Sequence, residues 1–208
     1  MISSKQIKQA ICVLKSGGIV LFPTETCYGL AADASNSKAV KRIFLLKNRD
    51  TLQTFPLIAS SFRMAEKYMD LSLSLRKIAR IYWPGPLTIV SPINKTVLKN
   101  HLLAKEVVQK NRTIAMRVSS HPIARALSSG LGRPIVSTSA NRQGQSNTYS
   151  IQSTLRQFRP FKILPDFFLD GGVLVRRKPS TIITQENEKI KVLRQGNIFI
   201  EKNQSRFV

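Results

Sequence analysis

At 208 residues the chain suits one domain, 1–208, with a core over about 3–196 and a short C-terminal tail. Its 42% hydrophobic content is enough for a sizeable core, and no run of about 18 apolar residues marks a membrane span. Thirty-three Lys and Arg against eleven Asp and Glu give a net charge of +22, which attracts polyanions such as nucleic acid. So few carboxylates argue against glycosidase-type acid pairs and carboxylate-rich metal cages. Two cysteines (Cys12, Cys27) and two histidines (His101, His121) argue against a disulfide framework and a zinc centre. The start, M-I-S-S-K-Q-I-K-Q-A, is polar and periodic rather than a signal peptide, so the cytoplasm is the default expectation.

Residues 3–16 read as a helix capped by Ser3 or Ser4, with Ile7, Ala10, Ile11 and Leu14 on one face. Gly17 and Gly18 end it. Ile19 to Phe22 is a short apolar strand, and Pro23, which has no N–H to donate, stops its ladder. Thr24, Glu25 and Thr26 follow at the mouth of that strand, where polar side chains are costly for stability and useful to a ligand. A plain polar turn would look the same. Cys27 reads as a small packing residue sooner than a nucleophile, with no histidine nearby.

A second helix spans 36–48, capped by Asn36 or Ser37, and ends in Lys47-Asn48-Arg49. Cations there also suit an ordinary helix C-terminus. Phe55–Ser60 reads as a strand, Ser61–Met69 and Leu71–Tyr82 as helices, and Trp83-Pro84-Gly85-Pro86 as a rigid turn into the strand Leu87–Val90. Residues 94–111 are basic and poorly patterned, a loop with some helix. Thr113–Val118 is a strand, and a helix runs from His121-Pro122 to about Ser129. Ile135 and Val136 form a short buried strand.

Ser137–Ser150 is almost wholly polar. Following a strand, it belongs where open α/β sheets bind ligands, although composition alone favours a solvent loop. Ile151–Phe158 reads as a helix and Leu164–Leu169 as a strand. Pro179-Ser180-Thr181 leads into Ile182 and Ile183, which pair with Lys189–Leu193 across the Q-E-N-E turn. Arg194-Gln195-Gly196 closes the core, and the tail 201–208 is frayed or a last short helix. Helices alternate with strands early and hairpins come late, so the expected fold is α/β: an open, twisted, mixed sheet with flanking helices.

Four polar groups are expected at strand ends: Thr24–Thr26, Lys47–Arg49, Ser137–Asn141 and Ser180–Arg194. Arg117 adds a cation inside an otherwise apolar strand, which is expensive unless it is paired or holds an anion. Its fork suits a carboxylate or a phosphate. With no Walker loop and no G-x-G-x-x-G, any nucleotide must be held by cations and hydroxyls. Such a site positions substrates and neutralises charge, which suits phosphoryl or adenylyl transfer.

The segment P-T-E-T-C-Y-G-L (23–30) resembles the P-T-E-T-x-Y-G-L opening of the YrdC/TsaC family. Lys47-x-Arg49 is similar to its K-x-R, Ser137-Thr138-Ser139-Ala140-Asn141 to its S-T-S-A-N, and Pro179-Ser180-Thr181 with Arg194-x-Gly196 to its closing P-S-T and R-x-G. The matches run in order from Gly17 to Gly196. The resemblance implies a YrdC-like fold with a basic concave face. It implies L-threonylcarbamoyladenylate synthesis, in which L-threonine, bicarbonate and ATP yield threonylcarbamoyl-AMP and pyrophosphate. Partner proteins, a threonylcarbamoyl-transferase complex, then modify tRNA, which the basic face could also hold. By analogy Thr26, Arg117, Ser137 and Ser180 hold threonine, while Lys47, Arg49, Ser139, Asn141 and Arg194 hold ATP. Lys47 and Arg49 are the catalytic pair, and Mg²⁺ is carried with the nucleotide. The match is to the short bacterial form, without the extra C-terminal domain of longer members.

The chain departs from the family pattern at Asp50, where proline is usual, at Ser60, where histidine is common, and over Gln145–Thr148. Those departures motivate a rival reading, a paralogue of the same fold acting mainly in RNA binding or ribosome assembly. The retained Lys47, Arg49, Ser139 and Asn141 argue against it.

Overall fold

The computed structural model describes residues 2–50 and 53–200. The first helix, α1 (Ser4–Lys15), starts at a reciprocal cap in which Ser3 and Gln6 each bond the other's backbone N–H. Strand β1 (Val20–Pro23) turns at once into β2 (Tyr28–Asp33). Helix α2 (Ser37–Lys47), capped by Asn36, precedes β3 (Leu57–Ala59), α3 (Phe62–Tyr68) and α4 (Leu73–Tyr82). Then come β4 (Leu87–Pro92), a single helical turn α5 (Lys95–Lys99) and β5 (Thr113–Val118). The chain continues through α6 (Pro122–Leu131), β6 (Ile135–Ser139), α7 (Ile151–Phe158) and β7 (Phe167–Phe168), and closes with the hairpin β8 (Thr181–Glu186) and β9 (Lys189–Arg194).

Among the described residues the strands form one mixed sheet in the order β7-β1-β2-β6-β3-β5-β4-β8-β9. β3–β5, β4–β8 and β1–β7 are parallel, and the other neighbours are antiparallel. The period-2 rule divides the core. Val20 and Phe22 join Ala10 and Leu14 of α1, and Ala124, Leu127 and Leu131 of α6, on one face. Ile19 and Leu21 point the other way, into the larger cluster with Val40, Ile43 and Phe44 of α2 and Leu75 and Ile78 of α4. Thus α1 and α6 roof one end of their face, and the rest of that face lies open.

Several expectations need correction. The β1 ladder runs one residue further: Pro23 sits opposite Tyr28, whose carbonyl accepts from Ala140 N at 2.8 Å and whose N–H goes to Thr148 O at 3.0 Å, so no donor is asked of the proline. β2 was not expected. Its sequence, Y-G-L-A-A-D, is buried throughout, lacks alternation and is rich in small residues of low strand propensity. The strands expected at 55–60 and 164–169 shorten to three and two residues. Pro56 keeps the segment before β3 out of the ladder on its donor side, yet its carbonyl accepts from Ser137 N at 2.9 Å.

The polar segment 137–150 is a solvent loop only in its middle, where Gln143–Ser146 are exposed. Ser137, Thr138 and Ser139 belong to β6, opposite Ala31, Leu30 and Gly29, and Thr148 is 1% exposed. Lys47–Arg49 ends a helix rather than a strand, with Asn48 as a left-handed C-cap at φ 50°. The tail 201–208 lies outside the described residues. Hairpins also occur early, as β1–β2 shows.

Candidate active site

The open part of the α1/α6 face forms the floor of a cavity of about 420 Å³. The floor is laid by alternate residues of adjoining strands: Ser137 and Ser139 on β6, Ala115 and Arg117 on β5, Thr88 and Val90 on β4, and Ile182 on β8 with Ser180 just before it. Alternation places all of these on one side of the pleat. Their in-between neighbours, Leu87, Ile89, Ile114, Met116 and Val118, pack in the opposite core. The β1–β2 turn supplies one wall. There Thr24 Oγ1 lies 3.0 Å from Thr26 Oγ1 and donates to Cys27 O at 2.7 Å.

Arg117 is 8% exposed and forms an ion pair through Nη1 with Glu25 Oε1. The other carboxylate oxygen accepts from Ser119 Oγ, which in turn accepts from His121 N at 3.1 Å. His121 Nδ1 accepts from Ile123 N at 3.3 Å, and burial lowers the imidazole pKa against the pull of Glu25. The cation flagged in the β5 sequence is therefore paired, and it still lines the cavity.

Arg49 leaves the end of α2 with its guanidinium 5.1 Å from the centroid of the Phe55 ring, which packs on Phe44 with centroids 4.2 Å apart. Its Nε is buried and has no hydrogen-bond partner among the described residues. Burial lowers its pKa, but an arginine remains charged. Lys47, two residues earlier, points elsewhere. It is 3% exposed, and its ammonium donates to Ser139 O and Asn141 O, each at 2.6 Å, and to Asn141 Oδ1 at 3.2 Å. Asn141 Oδ1 also accepts from Ser139 Oγ at 2.6 Å. Desolvation pulls the Lys47 pKa down to about 7, and the nearby charge of Arg49 adds to the effect.

On the far side, Ser180 Oγ lies 2.9 Å from Thr88 Oγ1. Arg194 crosses from β9 to donate to Ser180 O at 2.8 and 3.1 Å and to Ser180 Oγ at 3.0 Å. Gly196 makes that approach possible: a Cβ there would stand 2.2 Å from Pro179 O.

The cavity wall thus gathers Thr26, Arg49, Arg117, Ser137, Ser139, Ser180 and Arg194 from six separate stretches. It does not include Lys47 or Asn141, which brace the β6 end from behind. Ser60 is also outside the wall, its hydroxyl on Met64 Sδ at 3.6 Å. Sequence reasoning passed over Thr88, Gln109 and Ser119, and it took in Asn147 only as part of the polar segment 137–150. Thr88 carried a signal, being a lone hydroxyl at an inward position of an apolar strand; Gln109 and Ser119 carried none. Three guanidiniums and a row of hydroxyls can hold an anionic substrate and neutralise charge that builds on it.

Comparison with known proteins bears on the family and the fold. The Sua5/YciO/YrdC family model, described as "Telomere recombination", matches residues 12–196. The threonylcarbamoyl-AMP synthase of Vibrio vulnificus strain YJ016 is 34% identical over 193 residues, covering 91% of this chain and 98% of its own. P. abyssi Sua5, solved in complex with L-threonine, superposes with a TM-score of 0.84 at 31% identity over 94% of this chain. This chain spans only 55% of that protein's length. E. coli YciO superposes with a TM-score of 0.79 at 27% identity, covering 93% of this chain and 90% of its own. A match over most of the chain, on a sheet of the same architecture, means that the protein belongs to the Sua5/YciO/YrdC family.

Proposed function

We propose that this protein is an L-threonylcarbamoyladenylate synthase, forming threonylcarbamoyl-AMP and pyrophosphate from L-threonine, bicarbonate and ATP, and so a nucleotidyltransferase. The observation that carries the reading is the convergence of Arg49, Arg117 and Arg194 with Thr26, Ser137, Ser139 and Ser180 on one cavity. Arg117, set deep on β5 and already oriented by Glu25, receives the threonine carboxylate. Thr26, Ser137 and Ser180 take the amine and hydroxyl end. Arg49, with a buried nitrogen unpartnered among the described residues, and Arg194 at the rim take the triphosphate, with Ser139 beside them.

Bicarbonate condenses with the threonine amine, losing water, to give a carbamate. A carbamate oxygen attacks the α-phosphorus, the bond to the bridging oxygen breaks, and pyrophosphate leaves with that electron pair. The guanidiniums stabilise the charge gathering on the phosphoryl oxygens. The described cavity wall carries cations and no carboxylate side chain, so Mg²⁺ enters as part of the nucleotide substrate, bound by its phosphates. Lys47 and Asn141 serve nucleotide binding from behind, by fixing the Ser139–Asn141 segment.

The product passes to the threonylcarbamoyl-transferase proteins that modify tRNA, and the net charge of +22 suits direct contact with that tRNA in the cytoplasm. No helix among the described residues is long and apolar enough to cross a membrane. Pyrophosphate release that requires both threonine and bicarbonate is the expected result with purified protein. Absence of that release, together with tight and strongly salt-dependent tRNA binding, would favour the RNA-binding paralogue instead.

A further inference from the structure

We propose that Glu25 is a positioning residue for the substrate carboxylate, acting through Arg117; the proposal rests on the reading of Arg117 given above. Glu25 lies in the turn between β1 and β2, with its side chain 8% exposed against 9% for that of Arg117. It is absent from the cavity wall, whereas Arg117 belongs to it. Both carboxylate oxygens are committed, one to Arg117 Nη1 and one to Ser119 Oγ. Arg117 and Ser119 are two residues apart, so their side chains leave the same side of an extended chain. Ser119 is fully buried, and its oxygen is tied to the first turn leading into α6 through His121 N. The carboxylate is thereby clamped between β5 and the entry to α6, and it holds one edge of the guanidinium.

That hold has a directional consequence. A guanidinium has five N–H groups in a rigid fork. With Nη1 committed to Glu25, no hydrogen bond among the described residues engages Nη2, and that edge remains for a ligand in the cavity. An arginine free to rotate on its long stem would surrender several rotamers on binding. Glu25 removes that cost in advance.

Simple charge reasoning predicts the opposite effect. Three guanidiniums line the cavity, and Glu25 is the carboxylate bonded to one of them. Neutralising it raises the positive potential and, if charge alone mattered, would tighten anion binding. The two accounts therefore differ in sign.

The test is Glu25→Gln, which keeps the shape and a carbonyl oxygen but removes the charge-assisted grip. Threonine affinity is read by calorimetry, and the KM values for threonine and ATP by pyrophosphate release. The expected result is a threonine affinity weakened roughly tenfold, about the worth of one charge-assisted hydrogen bond, with the ATP KM within about twofold. Ser119→Ala frees one anchor while leaving the charge in place, and should weaken threonine in the same direction by less. It also serves if Glu25→Gln fails to fold. Unchanged or tighter threonine binding overturns the proposal, as does an equal rise in both KM values, which would mark a general structural role. If the wild-type protein itself shows no threonine-dependent pyrophosphate release, it is the functional reading that fails.

Discussion

The ammonium of Lys47 engages Asn141 twice, at 2.6 Å from its backbone oxygen and 3.2 Å from Oδ1, and closes its third bond on Ser139 O at 2.6 Å. A last-turn helix cation is thereby turned into a brace for the end of β6. Lys47→Met keeps the stem's packing but withdraws the charged donor from all three oxygens; Asn141 Oδ1 keeps Ser139 Oγ and Ser139 O keeps Asn141 N, while no other hydrogen bond among the described residues reaches Asn141 O. The expected loss is roughly 2–4 kcal/mol in denaturant unfolding, with adenylate formation strongly reduced even where the protein remains folded. Lys47→Arg should not rescue it, because a planar fork cannot direct donors at three oxygens converging on a point.

Arg117→Lys is expected to weaken threonine at least about tenfold, because an ammonium cannot serve Glu25 along one edge and a substrate carboxylate along another with the same planar geometry. Threonine titration of pyrophosphate release measures this. A normal threonine KM in the variant would remove Arg117 from the carboxylate role.

Much of this arrangement was legible because it rests on local chemistry. Gly17 and Gly18 after an amphipathic helix and the largely apolar run Thr113–Val118 placed elements, and the odd cation within that run lines the cavity. Two kinds of feature were not legible. The β2 segment has neither period nor propensity, since its small residues suit a strand covered on both sides rather than a recognisable one. The partner of Arg117 was invisible because Glu25 lies 92 residues away, and only strand order brings the two together. The same distance hid the bracing of Lys47 against Ser139 and Asn141. The sequence displayed a cation at a helix end, and only the fold reveals which oxygens meet it.

Asp166 gives a pH-dependent prediction. Its carboxylate accepts from Ile19 N at 2.6 Å and from Arg42 Nη2 at 2.8 Å, tying the start of β7 to β1 and α2. Burial alone would raise its pKa, but the bonds to Arg42 and Ile19 outweigh burial and hold it below the usual range. The unfolded chain therefore takes up a proton near pH 4 before the folded one does. The contribution is complete above that pH and disappears as pH falls through the folded-state value. Asp166→Asn should cost about 0.5–1 kcal/mol at pH 7, a modest figure because the pair is partly exposed, and its deficit should shrink towards pH 3. Urea unfolding of both proteins across that range measures the difference.

The cysteines should separate by reactivity. Cys12 is exposed, while Cys27 is 7% exposed and burial pushes its thiol pKa up, despite the opposing charges of Arg117 and Lys47. Only the thiolate attacks an alkylating agent. Iodoacetamide at pH 8 is expected to modify Cys12 in the native protein and Cys27 only after unfolding, which peptide mapping by mass spectrometry would resolve. Rapid native labelling of Cys27 would reopen its candidacy as a nucleophile.

The division of the sheet into a roofed end and an open end makes the site a proofreader of its own assembly. Sliding β5 by a single position would turn Arg117 into the oily interior and raise Met116 into the basin. A stranded guanidinium there would be punished far more heavily than a misplaced methylene group. Chains that settle into the compact form therefore carry their chemistry facing the right way, so that errors of strand alignment should surface as failure to fold rather than as well-folded, inert protein.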